Sequence, residues 1–180
     1  FVRYWLHNGF VNVDQEKMSK SIGNVLLVNE LLNAAPGEAI RLTLLSAHYR
    51  QPLDFTKELV SESRRILDRW YRASGEAQPG SELPEDVEAA LLDDMNTPRA
   101  IAAMHRLTEQ AIAGNKGAAS SLKAAGQIMG LLKSSAESWF HGEGRNDGPS
   151  RESIEELIEK RRKARVEKDF PTSEQIRDDL

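Results

Sequence analysis

The spacing of apolar positions changes along this chain, and with it the element each stretch predicts. Gly9-Phe10-Val11-Asn12-Val13 suits a short strand, and Asp14-Gln15-Glu16 suits the turn after it. From Val28 the spacing becomes helical. Residues 29–35 read as a short helix stopped by Pro36-Gly37, and Ile40, Leu44, Leu45 and Ala47 mark a second over residues 38–47. Tyr49 to Phe55 reads as an extended connector. Thr56 then caps a long helix with Glu58 in its first turn, and Leu59, Ser63, Ile66, Leu67 and Trp70 form its inward stripe. Gly75-Glu76-Ala77-Gln78-Pro79-Gly80-Ser81 is a polar linker rich in Gly and Pro.

Beyond that linker the pattern is helix and loop only. Pro84 to Leu92 makes one helix, and Thr97-Pro98 opens the next, with a cap and a proline at the first helical position. Ile101, Met104, Leu107 and Ala111 line its apolar face as far as Gly114, and Leu122, Ala125, Met129 and Leu132 line the following one. Residues 143–150 suit a flexible polar connection. Ser153-Ile154-Glu155-Glu156 forms a capping box for a helix to Lys168, and Asp169 with Pro171 starts the last. The chain begins abruptly at Phe1 and stops inside a helical pattern at Asp178-Asp179-Leu180, so both ends are expected to be cuts within a larger protein.

Composition narrows the classes. With 180 residues and 39% hydrophobic content the chain can bury a core, and one domain with pieces of another is expected. It holds no run of about 18 apolar residues that would span a membrane, and no secretory leader pattern. The absence of cysteine excludes disulfides and thiolate metal sites within these residues and fits a cytoplasmic protein. A net charge of −4 excludes a general polyanion binder. The charge is uneven, however: residues 1–72 carry 10 basic and 8 acidic groups, residues 73–149 carry 6 and 11, and residues 150–180 carry 8 and 9. Any nucleic-acid contact must use local basic faces.

The densest candidate chemistry is Glu16-Lys17-Met18-Ser19-Lys20-Ser21-Ile22-Gly23-Asn24. Two lysines three apart, interleaved with hydroxyls, place cations and donors on a short loop, as a polyphosphate clamp requires. A single Lys-x-x-Lys pair is far more often part of a solvated polar loop, so the reading rests on the whole run. His7 shares a face with Trp5 if its segment is extended, and stands either as a packed or capping side chain or as a ligand. Arg64, Arg65, Arg69 and Arg72 suit RNA phosphates or a solvated face. Lys160 to Arg165 follow Glu155, Glu156 and Glu159 at helix-pairing distance, which favours surface ion pairs over nucleic acid. Met95, Met104 and Met129 are expected in the core. His7, His48, His105 and His141 lack metal-ligand spacing, and no Ser/His/Asp arrangement is present.

Lys17 to Ser21 spell Lys-Met-Ser-Lys-Ser, which resembles the second signature of class I aminoacyl-tRNA synthetases. The flanks narrow the resemblance. Tyr4-Trp5-Leu6-His7-Asn8-Gly9, Ser46-Ala47-His48-Tyr49-Arg50, Asp94-Met95-Asn96-Thr97-Pro98, Ala164-Arg165 with Lys168-Asp169-Phe170, and Ile176-Arg177-Asp178 resemble, in order, the bacterial cysteinyl-tRNA synthetase family. The resemblance implies a mainly α chain. Residues 1–25 would hold the last strand and signature loop of a Rossmann-type catalytic domain, residues 26–80 a helical linker contacting the acceptor stem, and residues 81–180 an antiparallel bundle of the anticodon-binding type. It also implies an ATP-dependent ligase, using ATP with magnesium, that activates cysteine as the adenylate and transfers it to tRNA. Lys20 would meet the ATP phosphates as the main catalytic residue, with Lys17, Ser19 and Ser21 assisting, Met18 packed beside the nucleotide and His7 close by. Trp139 and Phe140 would either stack on anticodon bases or cap the bundle.

The departures are also informative. The family's His-Ile-Gly-His signature is not in this chain, and its zinc ligands lie before Phe1, so no metal ligand is assigned here. Ser173-Glu174 stands where the family more often has Ala-Asp. The 180-residue chain alone is therefore expected to be inactive and to bind no zinc. Two other readings stand beside this one: a ligase joining cysteine to an amino sugar in mycothiol synthesis, which shares the loop but largely lacks the bundle, and a non-catalytic RNA-binding helical module.

Overall fold

The computed structural model describes residues 1–13, 15–19, 21, 23–141, 151–166 and 169–179. Among the described residues the chain is mainly α-helical with one small sheet, the fold class implied by the sequence, and it forms two compact units, Phe1–Phe140 and His141–Leu180.

In the first unit a three-stranded sheet carries β1 (Val11–Val13) at its centre. β2 (Glu16–Lys17) pairs with it antiparallel, placing Asn12 opposite Lys17, and β3 (Leu53–Asp54) pairs with it parallel, placing Val11 opposite Leu53. The stretch expected as an extended connector, residues 49–55, thus contains a strand. Leu53 N–H donates to the Phe10 carbonyl at 2.9 Å and Phe55 N–H to the Asn12 carbonyl at 2.8 Å. Two residues are too few to show a period-2 pattern, and the partner strand lies far back in the chain. Gly9 sits where the segments meet: its N–H donates to the Tyr49 carbonyl at 2.7 Å, and a methyl group on it would come within 2.2 Å of the Gln51 carbonyl oxygen.

Two helices, α1 (Val28–Ala34) and α2 (Gly37–Leu45), follow the loop, separated at Pro36 as the sequence predicts. Ile40, Leu53 and Phe55 are buried together, with Val11, Leu26, Leu31, Leu59 and Val60 packed around them, and this small cluster seats the sheet on the helices. α3 (Lys57–Ser74) begins at a true cap, Thr56 Oγ1 accepting from Leu59 N–H at 3.2 Å. Its buried face is Ser63, Leu67, Trp70, Tyr71 and Ser74; Leu59 and Ile66 are only partly covered.

The main core joins α2 and α3 to α4 (Glu85–Leu92), α5 (Thr97–Ile112) and α6 (Lys116–Ile128). Leu42, Leu67, Trp70, Tyr71, Val87, Met104 and Leu122 meet there, so the linker at residues 75–81 crosses the unit without dividing its core. The cap of α5 is Asn96, whose Oδ1 accepts from Arg99 N–H at 3.1 Å. Thr97, expected in that role, instead donates its hydroxyl to the Leu45 carbonyl at 2.8 Å, a tie between α5 and α2 that local sequence does not reveal. Met104 and Met129 are buried, but Met95 lies at 44% exposure in the turn before α5 and is not part of the core.

A further helix, α7 (Ala136–His141), was not anticipated. It brings Trp139 onto Tyr71, rings stacked at 4.7 Å, with Nε1 donating to Asp68 at 2.7 Å, so Trp139 caps the bundle. Two of the four α3 arginines are engaged within the unit, Arg69 with Glu109 at 2.6 Å and Arg72 5.0 Å above the Phe140 ring.

The second unit packs α8 (Arg151–Val166) against α9 (Phe170–Asp179), burying Ala164 and Ser173. Asp169 caps α9, accepting from the Thr172 hydroxyl at 2.6 Å and from its N–H at 3.3 Å, as the sequence predicts. α8 is already helical at Arg151, so Ser153 lies inside it and the expected capping box does not start the helix. Lys160 pairs with Glu156 at 3.8 Å. Residues 143–150 and Lys168 lie outside the described residues.

One polar cluster crosses the main core. The Tyr71 hydroxyl donates between the two Glu38 carboxylate oxygens, at 3.0 and 3.1 Å, and accepts from Ser134 N–H at 3.2 Å. Burial, reinforced by the Glu38 charge, pushes the Tyr71 phenol up to about 12. An unfolded chain loses that proton near 10 while the folded one keeps it. Stability therefore declines as pH rises from 10 toward 12, and Tyr71→Phe flattens that decline. Urea unfolding across this range checks it; equal slopes in both proteins would contradict it.

Candidate functional site

The lysine-rich loop is built at the open end of the β1–β2 ribbon. β1 leads into a turn in which Gln15 takes a left-handed φ of 68°, held by its N–H donating to Asp54 Oδ1 at 3.0 Å. The chain then returns along β1 as β2, and Met18 N–H donates to the Val11 carbonyl at 3.2 Å. The loop thus leaves β2, which is held by the central strand β1, and β1 is backed on its other edge by β3.

From Lys17 to Asn24 the chain closes on itself. Asn24 Oδ1 accepts from Ser19 N–H at 2.8 Å, while its Nδ2 donates to the Lys17 carbonyl at 3.4 Å. One amide thus satisfies a donor and an acceptor on the opposite limb, as its paired chemistry allows. Gly23 N–H donates to the Ser19 carbonyl at 3.2 Å, and its φ of 78° lies where a side chain is disfavoured. The Gly23-Asn24 end of the motif is therefore the closure of the loop.

The side chains proposed to act on a nucleotide fall as follows. Lys17 is exposed, with Nζ 4.0 Å from the centroid of the Phe10 ring. Such a contact at an exposed position is worth about 0.5–1 kcal/mol. Met18 and Ser19 are half-buried, Ser21 is exposed, and the two serine hydroxyls are 3.2 Å apart. Lys20, the residue the resemblance places at the centre of catalysis, lies outside the described residues, as do Asp14 and Ile22. His7 is exposed, and among the described residues its ring partner is Trp5, stacked at 6.4 Å.

A second polar cluster involves the segment whose Tyr49 carbonyl accepts from Gly9 N–H. Asp94, in the turn between α4 and α5, accepts from the Tyr49 hydroxyl at 2.7 Å and from Arg50 Nε at 2.8 Å and Nη2 at 3.3 Å. His48 Nε2 donates to the Asp94 carbonyl at 3.0 Å. The Arg50 guanidinium, with the Tyr49 hydroxyl, holds the Asp94 carboxyl below its usual range, and the hydrogen bond to Asp94 raises the Tyr49 phenol. Both groups keep the protonation states that this cluster needs at neutral pH.

Sequence reasoning did not find Asp54 or Phe10 as supports of the loop. Asp54 is 39 residues from the amide it holds, and nothing local marks it. The sequence pattern marks Phe10 only as part of a strand, although an aromatic residue one strand away from a lysine is a standard cation partner. Among the described residues no group of three His, Asp or Glu is placed to hold a metal ion.

Comparison with known proteins bears on this geometry. Residues 1–65 match the family model described as the class I (C) tRNA synthetase catalytic domain, and residues 86–137 match the DALR domain. The cysteine-tRNA ligase of Gluconobacter oxydans is 47% identical over 182 residues, covering 100% of this chain and 39% of that protein. That of Parvibaculum lavamentivorans is 47% identical over 97% of the chain and 40% of its own length, and that of Rhodospirillum rubrum 45% identical over 100% and 41%. The chain thus spans about two-fifths of the length of these relatives.

The loop geometry yields a direct expectation. Asn24→Ala removes the acceptor for Ser19 N–H, and exchange of that amide with solvent accelerates about ten-fold, the equivalent of one net hydrogen bond. Amide exchange by NMR measures it; an unchanged Ser19 rate would mean that Asn24 does not brace the loop.

Proposed function

Because the chain belongs to the cysteinyl-tRNA synthetase family, we propose that it supplies the ATP loop and the tRNA-binding helices of an enzyme that activates cysteine with ATP and transfers it to tRNA. The supporting observation is the complete Lys17–Ser21 signature on a loop that is closed by Asn24 and leaves β2, which pairs with β1. On this reading residues 1–25 form the edge of the catalytic domain, residues 26–80 the stem-contact linker and residues 81–180 the anticodon-side bundle. The match of residues 86–137 to the DALR domain supports the tRNA enzyme over the amino-sugar ligase. The parent works in the cytoplasm on this reading; no helix among the described residues is long and apolar enough to cross a membrane.

The chemistry assigned to the loop follows from charge. When the cysteine carboxylate attacks the α-phosphate of magnesium-bound ATP, negative charge builds on the departing pyrophosphate. Lys20 and Lys17 neutralise that charge, and the hydroxyls and amides around Ser19 and Ser21 donate to its oxygens. Met18 packs beside the nucleotide, and His7 completes the approach. A cation engaged mainly in the transition state raises turnover more than it raises ATP affinity. Zinc, which the family resemblance implies, has no fitting ligand set among the described residues, and the chain has no cysteine.

In the full-length parent, Lys20→Ala lowers the turnover of cysteine-dependent ATP–pyrophosphate exchange by about 100-fold or more, with the KM for ATP little changed. Near-normal exchange would refute the assignment. The 180-residue chain by itself gives no exchange, because the cysteine site and the rest of the nucleotide site are assigned to the parent. Measurable cysteine-dependent exchange by the purified chain would overturn that expectation.

A further inference from the structure

We propose that Asp94 is a positioning residue for the lysine-rich loop: it clamps residues 48–50 and, through them, sets the strand on which the loop is rooted. The inference rests on the ligase reading above for the reaction it affects, but its argument is geometric.

Asp94 gathers three consecutive residues onto one side chain and one carbonyl. Tyr49 and Arg50 donate to its carboxylate, and His48 Nε2 donates to its carbonyl at 3.0 Å. Arg50 N–H in turn donates to His48 Nδ1 at 3.3 Å, which fits the tautomer that the Asp94 carbonyl requires. The turn presenting these groups is strained, with Asp94 and Met95 both left-handed at φ 51° and 52°. Two successive non-glycine residues hold that conformation only where the surroundings over-determine it. Thr97, donating to the Leu45 carbonyl at 2.8 Å, ties down the exit of the same turn.

From the clamp a continuous series of short contacts leads to the loop. The Tyr49 carbonyl accepts from Gly9 N–H at 2.7 Å, and Gly9 lies so close to the Gln51 carbonyl that a methyl group there would collide at 2.2 Å. β3 then pairs with β1, Asp54 holds Gln15 N–H, and the Val11 carbonyl accepts from Met18 N–H. None of these links is a flexible side-chain-to-side-chain contact until Asp94 itself is reached. A shift of the turn before α5 is therefore transmitted to β1 and the start of the loop.

Magnitudes separate positioning from mere stabilisation. Asp94 is about half exposed, and an ion pair at such a site contributes little to folding. Misplacing a catalytic loop by about 1 Å, by contrast, costs up to about 100-fold in rate. Breaking the clamp should thus reduce turnover far more than it reduces stability.

The test uses the full-length parent enzyme with Asp94→Asn and Tyr49→Phe. Asparagine keeps the shape of the carboxylate but can turn an N–H group toward Arg50. We expect the kcat of cysteine-dependent pyrophosphate exchange to fall about ten-fold in Asp94→Asn and less in Tyr49→Phe, with the KM for ATP within about two-fold and the thermal midpoint within a few degrees. Asp94→Glu, which retains the charge, should recover part of the loss. A kcat within about two-fold of wild type in both variants overturns the proposal, as does a loss fully accounted for by unfolded protein. A wild-type parent with no exchange would refute the ligase reading instead, so the two failures are distinguishable.

Discussion

The first unit depends on how one half-buried carboxylate is satisfied. Glu38, in the first turn of α2, receives the Tyr71 hydroxyl from α3 and two backbone N–H groups from the segment after α6, Leu132 at 2.9 Å and Lys133 at 3.1 Å. Leu132 has a left-handed φ of 54°, so this segment takes a disfavoured shape to deliver its amides. Removing the carboxylate would leave several donors unpartnered at once, the situation that costs most in a folded protein. Its position near the start of α2 adds the favourable partial charge of the helix N-terminus. Tyr71 passes the constraint outward, stacking on Trp139 and thereby seating α7.

α2 is held in this way because it serves two cores. Leu42 enters the main core with Leu67, Trp70 and Met104, while Ile40 enters the small cluster beneath the sheet with Leu53 and Phe55. Strands of three and two residues do not persist alone, and a sheet this small needs a helix under it. The loop is thus placed by a chain of dependence running from Glu38 to α2, from α2 to Phe55 and β3, and from β3 to β1. The Asp94 contacts with Tyr49 and Arg50 lead to the same strand through Gly9, whose N–H donates to the Tyr49 carbonyl.

The sequence made the helices legible because each carries a long apolar face and conventional ends: Pro36 between α1 and α2, Thr56 before α3, Asp169 before α9. It was misleading where a short-range pattern competed with a long-range contact. Thr97 has the chemistry of a cap, but Asn96 caps the helix because Thr97 is engaged by the Leu45 carbonyl. Met95 is apolar, yet it sits at the exposed apex of a left-handed turn. In the sequence β3 shows only as an extended stretch, because what makes it a strand is its pairing with β1, not a periodicity. The candidate site divides in the same way. The loop's identity is contiguous and could be read directly, whereas its supports at Phe10, Asp54 and Asp94 are assembled by folding. For the α3 arginines the sequence left two readings open, and the contacts of Arg69 and Arg72 show how acids and rings elsewhere in the unit occupy such side chains.

The contacts that hold the loop differ in strength from those that hold its roots, and that difference bears on the proposed reaction. The roots are backbone hydrogen bonds of a sheet, backed by buried Ile40 and Phe55. Among the described side chains of the loop, Lys17 has a much weaker partner, an exposed ring. An exposed cation–ring contact returns only about 0.5–1 kcal/mol, whereas charge-assisted hydrogen bonds to a phosphate are roughly twice as strong as neutral ones. On the proposed function, an arriving polyphosphate therefore displaces little to recruit Lys17. The bonds from Asn24 to Ser19 and Lys17 tie main chain on both limbs, so they persist while the side chains exchange partners. On the proposed function, a firm base with a loosely engaged Lys17 is the combination that admits a charged substrate and then follows the charge as it moves to the leaving group.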